Sequence, residues 1–175
     1  MTALGDWVHP VHEIGQGGIS ETRTATAGER DELARDLDIL SCDRLTASYK
    51  IKPLGGGRYG FSGTFEADVK QACVVSLDPV PASIREEFAV TFAPPSALED
   101  EPAVAGDREV SSIPDTAPIA DGRIDAGPLI YEMLSAALNP YPRKEGVEFD
   151  WVDPKSKDGG DRGPFAALAK LKRET

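Results

Sequence analysis

Leu45-Thr-Ala-Ser-Tyr-Lys-Ile-Lys52 carries the clearest fold signal in this 175-residue chain. Leu45, Ala47, Tyr49 and Ile51 alternate with polar residues, which is the period-two pattern of a β-strand with one buried face. Pro53-Leu-Gly-Gly-Gly-Arg58 follows and predicts a hairpin turn, because glycine adopts the positive φ angles that tight turns need. The sequence therefore predicts an antiparallel pair of strands at the centre of the molecule.

The second strand of this pair and two later segments complete the predicted sheet. The second strand has its apolar residues on one face: Tyr59, Phe61, Phe65, Ala67 and Val69. Gly63 interrupts that face and predicts a bend or bulge. We expect Val74, Val75 and Leu77 to continue the sheet. Ile84, Phe88, Val90 and Phe92 share one face of a last strand. The pattern predicts an α+β fold with a curved antiparallel sheet or a partly closed β-barrel.

Three helices are expected outside these strands in the sequence. Thr26 and Glu29 have the spacing of a capping box, which predicts a helix near the N-terminus. Asp125 is a suitable N-cap for a helix near 126–138, which Asn139-Pro-Tyr-Pro142 ends because proline cannot continue the hydrogen-bond ladder. Pro164 predicts the start of a short, basic, amphipathic C-terminal helix.

Composition predicts the domain boundaries. An acidic, proline-rich stretch without aromatic residues at 93–118 is interpreted as a mobile loop. We predict a single α+β domain over residues 1–151, followed at 152–175 by a polar linker and the C-terminal helix.

The charge of the chain restricts its partners. Asp and Glu number 30 against 19 Lys and Arg, so the formal net charge is -11. Such a chain is repelled by nucleic acid phosphates at long range and attracted to basic proteins. No apolar run reaches membrane-spanning length, and the N-terminus lacks the features of a signal peptide. Cys42 and Cys73 are interpreted as reduced thiols, so a cytoplasmic protein is expected.

Residues that could carry chemistry are few. His9, His12 and Glu13 could form a metal or acid–base site, but two surface histidines are favoured, since residues three apart in an extended segment point to opposite faces. Cys73 is expected to be an inert thiol in an apolar strand. Glu86 and Glu87 are expected on opposite faces of their strand, where they cannot act as an acid–base pair. No cofactor is predicted.

Several motifs together resemble the YceD-like family of large ribosomal RNA subunit accumulation proteins. They are Cys73-Val-Val-Ser-Leu-Asp-Pro-Val80, Asp121-Gly-Arg-Ile-Asp-Ala-Gly127, Leu138-Asn-Pro-Tyr-Pro-Arg-Lys144 and Pro164-Phe-Ala-Ala-Leu-Ala-Lys-Leu-Lys172. The third resembles the alphaproteobacterial branch. Many relatives carry Cys-x-x-Cys at the first motif and a later cysteine, a possible metal set. Here Ser76 replaces the second cysteine and none follows Cys73, so a zinc site is not expected.

The resemblance implies a non-catalytic role in the accumulation of large-subunit ribosomal RNA and in ribosome assembly. Together with the charge, it favours a basic ribosomal protein or another large-subunit precursor component as partner, with no membrane or DNA contact. We predict that the partner-binding residues are Phe165, Leu168, Lys170, Leu171, Lys172, Arg143, Lys144 and Tyr141.

Two alternatives remain open. The first is an RNA chaperone that uses local basic patches, with Lys155, Lys157 and Arg173 beside the residues already named and Trp151 nearby. The second is a small metal-dependent hydrolase that uses His9, His12 and Glu13. The C-terminal helix is as well suited to packing on the domain as to docking on a partner.

Overall fold

The computed structural model describes residues 3–99 and 116–148, with the side chains of residues 98 and 99 left out of the description. The chain divides into two compact units, Met1–Glu145 and Gly146–Thr175. All described helices and strands belong to the first unit, because only residues 146–148 of the second are described.

The fold is α+β and most of its strand pairs are antiparallel. Its strands are β1 (Val8–Pro10), β2 (Ile19–Thr24), β3 (Ser41–Gly55), β4 (Arg58–Ala72), β5 (Pro79–Ala93), β6 (Thr116–Pro118) and β7 (Arg123–Asp125). The helices are α1 (Ala27–Asp36), α2 (Pro95–Glu99) and α3 (Ala126–Ala137), with a 3-10 turn at Val11–Glu13. The capping box expected at Thr26 is present. Asp125 occupies the N-cap of α3, but its side chain makes no capping hydrogen bond.

One sheet of five strands dominates the molecule, in the order β2-β3-β4-β5-β6, and β1 and β7 form a separate pair. β6 is parallel to β5, and the other pairs are antiparallel. Because β2 and β6 lie at opposite ends of this order, the described strands form no closed barrel, and a partly closed barrel stays a prediction.

The central hairpin is built as its pattern indicates. Leu45, Ala47, Tyr49 and Ile51 are all buried. Gly55 pairs with Arg58 across the turn, and the two glycines between them have positive φ angles. The hairpin turn is therefore confirmed.

Gly63 forms no bulge, which is one of the two features expected there, and a bend stays a prediction. It pairs regularly with Tyr49 and Phe88, whereas the register shifts lie between Cys42 and Arg44 and between Pro53 and Gly55. A Cβ atom at Gly63 would lie 2.7 Å from the Cα of Tyr49. Glycine is needed because β3 and β4 approach closely at this point.

The core lies between the inner face of the sheet and three segments that cover it, the N-terminal segment, α1 and α3. Phe61 and Phe65 of β4 are fully buried, as are Leu4 and, on α3, Ile130 and Leu134. The backbone amides of Ala126 and Gly127 both donate to the carbonyl of Trp7, at 3.0 and 3.1 Å. These bonds attach the start of α3 to the N-terminal segment.

The stretch predicted as a mobile loop is in part regular structure. Thr116, Ala117 and Pro118 pair with Thr91, Phe92 and Ala93, so this end of the stretch is the edge strand β6. α2 occupies the other end, and residues 100–115 lie outside the described residues. None of the described helices is long and apolar enough to cross a membrane.

Candidate functional site

The segment that follows α3 lies against the turn between β4 and β5. The side-chain amide of Gln71 donates to the carbonyl of Asn139 at 2.9 Å. The amide of Val74 donates to the carbonyl of Pro142, also at 2.9 Å. These bonds join residues 139–144 to residues 71–78, two of the stretches on which the family resemblance rests.

Local sequence shapes both partners of this contact. Asn139 accepts the amide of Tyr141 at its side-chain oxygen, at 2.9 Å, which forms the turn that leads the chain away from α3. The turn of residues 73–78 is closed by the amide of Cys73, which donates to the carbonyl of Asp78 at 2.8 Å. Leu77 has a φ of 62°, so the expectation that this stretch continues the sheet is wrong.

Cys73 is the buried centre of the turn. Its Sγ atom accepts the backbone amides of Lys144 at 3.4 Å and of Val75 and Ser76 at 3.5 Å. The Lys144 amide is the main cause, with Ser76 and Val75 next, of a pKa lowered to about 6, because these donors stabilise the thiolate; the opposing effect of burial is smaller. Cys73 therefore lies in a turn and not in the expected strand, and its sulfur is polarised by these donors, whereas an inert thiol stays a prediction.

Lys144 and Asp78 close the same contact through their side chains. The Nζ atom of Lys144 lies 2.9 Å from Oδ2 of Asp78, which also accepts the hydroxyl of Ser76 at 3.1 Å. The Lys144 ammonium, followed by the Ser76 hydroxyl, holds the pKa of Asp78 below its ordinary value. The charge of Lys144 is therefore engaged within the protein.

Exposed apolar side chains surround this contact. Val74, Leu77 and Tyr141 are 53%, 75% and 77% exposed. Next to them is a shallow cleft of about 600 Å³ between the end of α1, the turn and the end of α3. Large apolar groups exposed together on a surface favour contact with another macromolecule.

Three of the residues predicted to bind a partner are described, and all three belong to this region. Tyr141 and Arg143 are exposed, and Lys144 forms the ion pair. The others lie outside the described residues: Phe165, Leu168, Lys170, Leu171 and Lys172. The partner-binding role of all eight stays a prediction.

The two histidines have different surroundings. His9 is buried, and its Nε2 atom lies 2.9 Å from the hydroxyl of Tyr49, so its expected surface position is wrong. Burial lowers the pKa of His9 and raises that of Tyr49 to about 12. His12 is exposed and lies 3.8 Å from Glu13. Across the described part of the chain, no three His, Cys, Asp or Glu residues are grouped so that they could hold a metal ion.

Asp78 and Ser76 are the members of this site that sequence reasoning does not identify. In the sequence, Asp78 stands out only as a member of the first motif, and its partner Lys144 is 66 positions away. Both residues lie inside the motifs that carry the resemblance, which is the one signal that could have linked them.

The chain matches a known family over much of its length. The family model described as large ribosomal RNA subunit accumulation protein YceD matches residues 61–172, which include most of β4, all of β5 and α3, and the contact between residues 71–78 and 139–144. No curated protein and no solved structure matches the chain significantly.

Proposed function

The chain belongs to the YceD family of large ribosomal RNA subunit accumulation proteins, and we propose that it does this work without catalysis, by binding a basic protein component of the large subunit before assembly. The family description supports a role in the accumulation of large-subunit ribosomal RNA, and it describes an accumulation factor rather than an enzyme. The proposed role is cytoplasmic. Assignment to the alphaproteobacterial branch remains a prediction from residues 138–144.

The net charge of -11 is the observation that carries this proposal. A surface of that sign attracts basic proteins and repels phosphate at long range. Six of the described cations already have a carboxylate within 4 Å, which would compete with a phosphate for them: Arg23, Arg44, Lys70, Arg85, Arg123 and Lys144.

Depletion of the protein tests the role. We expect the ratio of large-subunit to small-subunit ribosomal RNA to fall, and the wild-type chain to restore it. An unchanged ratio would contradict the proposal.

Binding measurements test the partner. We expect the purified protein to bind basic large-subunit proteins and to bind large-subunit RNA weakly. Tight, salt-sensitive binding to that RNA, abolished by K170Q, K172Q and R173Q together, would instead favour the RNA chaperone. A requirement for a stoichiometric metal would favour the hydrolase.

A further inference from the structure

The outer edge of β5 is open over much of its length. β5 runs from Pro79 to Ala93, but β6 pairs with it only at Thr91, Phe92 and Ala93. No other described strand lies beside this edge. Within residues 3–99 and 116–148, nothing pairs with the outer side of residues 83–89, to which another strand could therefore be added.

The direction of the backbone groups along this edge follows from one hydrogen bond. The amide of Ile119 donates to the carbonyl of Ala93 at 2.8 Å, so Ala93 directs its backbone groups outward. In a strand, the backbone amides and carbonyls of successive residues point alternately to the two neighbouring strands. Because β5 pairs with β4 without a register shift, the backbone groups of its odd-numbered residues point away from β4, towards the open edge. Those of the open stretch are Ser83, Arg85, Glu87 and Ala89.

Proline blocks only one end of this edge. Pro79 and Pro81 occupy outward positions and have no amide to donate, which is how edge strands are commonly protected from pairing. From Ser83 to Ala89 the outward residues keep their amides. The open stretch is thus bounded by two prolines at one end and by β6 at the other.

An apolar groove runs along the inner side of the same edge. It has a volume of about 450 Å³ and lies between β5 and α3, where Phe65, Phe88 and Val90 face Met133, Ala136 and Ala137. Alternate side chains of an added strand would enter this groove, as alternate side chains of a strand share one face. The groove would select apolar residues at those positions.

Two carboxylates give the edge its charge. The side chain of Glu86 lies on the inner face of the sheet, since Glu86 pairs in register with Phe65, yet it is exposed at the rim of the groove. Glu87 is exposed on the outer face. Neither forms an ion pair with another described residue, whereas the neighbouring Arg85 is paired with Glu66 at 2.7 Å.

We propose that residues 83–89 bind an extended, basic segment of a protein partner by strand addition, with the partner's alternate apolar side chains in the groove between β5 and α3. This site rests on the proposed function, because a basic large-subunit protein would supply the segment. A second copy of this chain fits the edge poorly, since each copy carries a net charge of -11. Nucleic acid lacks the backbone amides and carbonyls that extend a sheet.

A labelled eight-residue peptide of alternating lysine and valine is the probe, with its fully N-methylated counterpart as control. We expect the first peptide to bind the full chain and the second, which has the same charge but no amide donors, to bind at least tenfold more weakly. E86Q and E87Q should each weaken binding roughly 1.5- to 5-fold. E132Q makes the same charge change on α3 away from the groove and should have no effect.

Ala89→Pro tests the edge itself. It removes one outward amide and should weaken binding roughly tenfold or more, with the thermal midpoint close to wild type. Hydrogen exchange on the wild-type chain gives a second test that needs no folded variant. Peptide should slow exchange at Ser83, Arg85, Glu87 and Ala89, whereas Ile84, Glu86 and Phe88 should be protected beforehand.

Four results would overturn the site. They are equal binding of the N-methylated peptide, no binding at all, slow exchange of the outward amides in the free monomer, and self-association that Ala89→Pro abolishes. The depletion experiment does not involve the edge. If the RNA ratio falls but the peptide fails, only this site is wrong; if the peptide binds but the ratio is unchanged, the proposed function is wrong.

Discussion

Two regions beside α3 differ in how many of their backbone groups have hydrogen-bond partners. Beyond its C-terminus, residues 139–144 are bonded in both directions to residues 71–78: the carbonyls of Asn139 and Pro142 accept hydrogen bonds, and the amide and ammonium of Lys144 donate them. Along its Met133 flank, the neighbouring strand β5 keeps outward amides without a described partner. Residues within two of the motifs that carry the family resemblance are thus bonded to each other, whereas the proposed strand-addition site uses backbone groups outside those motifs.

Leu134→Ala should have the largest effect, because it affects both regions together. Leu134 is fully buried and holds α3 on the sheet. Its truncation leaves a cavity, and we expect a loss of about 2–5 kcal/mol in the free energy of unfolding, measured by urea denaturation. E132Q, on the exposed side of α3, is the control and should change little. Hydrogen exchange that became faster only in the turn of residues 73–78, or only in β5, would show that α3 does not couple these two regions.

A matched pair of proline substitutions compares an amide of β5 that points towards β4 with one that points towards the open edge. The amide of Ala82 points towards β4, opposite Val69, whereas that of Ala89 points outward. Ala82→Pro should cost roughly 1–3 kcal/mol because it leaves a ladder carbonyl unsatisfied. Ala89→Pro should cost little, as proline is tolerated on edges. Equal losses in thermal or urea unfolding would show that the outward amides already have a partner.

The part of this fold that the sequence predicts well is the part with local signals. Period-two alternation identifies β3, β4 and β5, and three glycines mark the turn between the first two. The parallel pairing of β6 has no such signal, because three residues after a long acidic stretch form no pattern. Gly63 misleads for a related reason: a missing side chain has the same appearance in a sequence whether the backbone bulges or a neighbour approaches closely.

The site is predictable only in outline. The motifs point to residues 138–144, but the contact of Lys144 with Asp78 and Cys73 joins positions about 70 apart, which spacing alone does not reveal. Cys73 looks apolar in the sequence because Val74 and Val75 follow it. Its polarised state depends on three amides whose directions are set by the folded turn.

The thiols test how tightly the turn is closed. Absorbance of thiolate at 240 nm should rise near pH 6 in the wild type and in Cys42→Ser, but not in Cys73→Ser. Cys42 should titrate above its ordinary range, because burial raises its pKa. Between pH 9.0 and about pH 6 the unfolded chain binds the Cys73 proton more readily than the folded chain does. The wild type should therefore lose stability relative to Cys73→Ser as the pH falls through that range, and a constant difference would contradict the thiolate.

Lys144→Gln should have the smallest effect, and it separates the side chain from the backbone of the same residue. Both partners of the Lys144–Asp78 pair are about half exposed, so the thermal midpoint should fall only slightly, and less at high salt. Lys70→Gln breaks a comparable exposed pair with Asp43 and is the control.

The pKa of the Asp78 carboxyl in Lys144→Gln, followed by NMR, should rise towards its ordinary value, since its ammonium donor is lost. The amide of Lys144 remains, and with it the main bond to Cys73, so the thiolate step should stay near pH 6. A thiolate step far above that pH would mean that the Lys144 ammonium, and not the backbone amides of the closed turn, stabilises the Cys73 thiolate. The turn of residues 73–78 and the open edge of β5 would then differ in charge and not in backbone bonding.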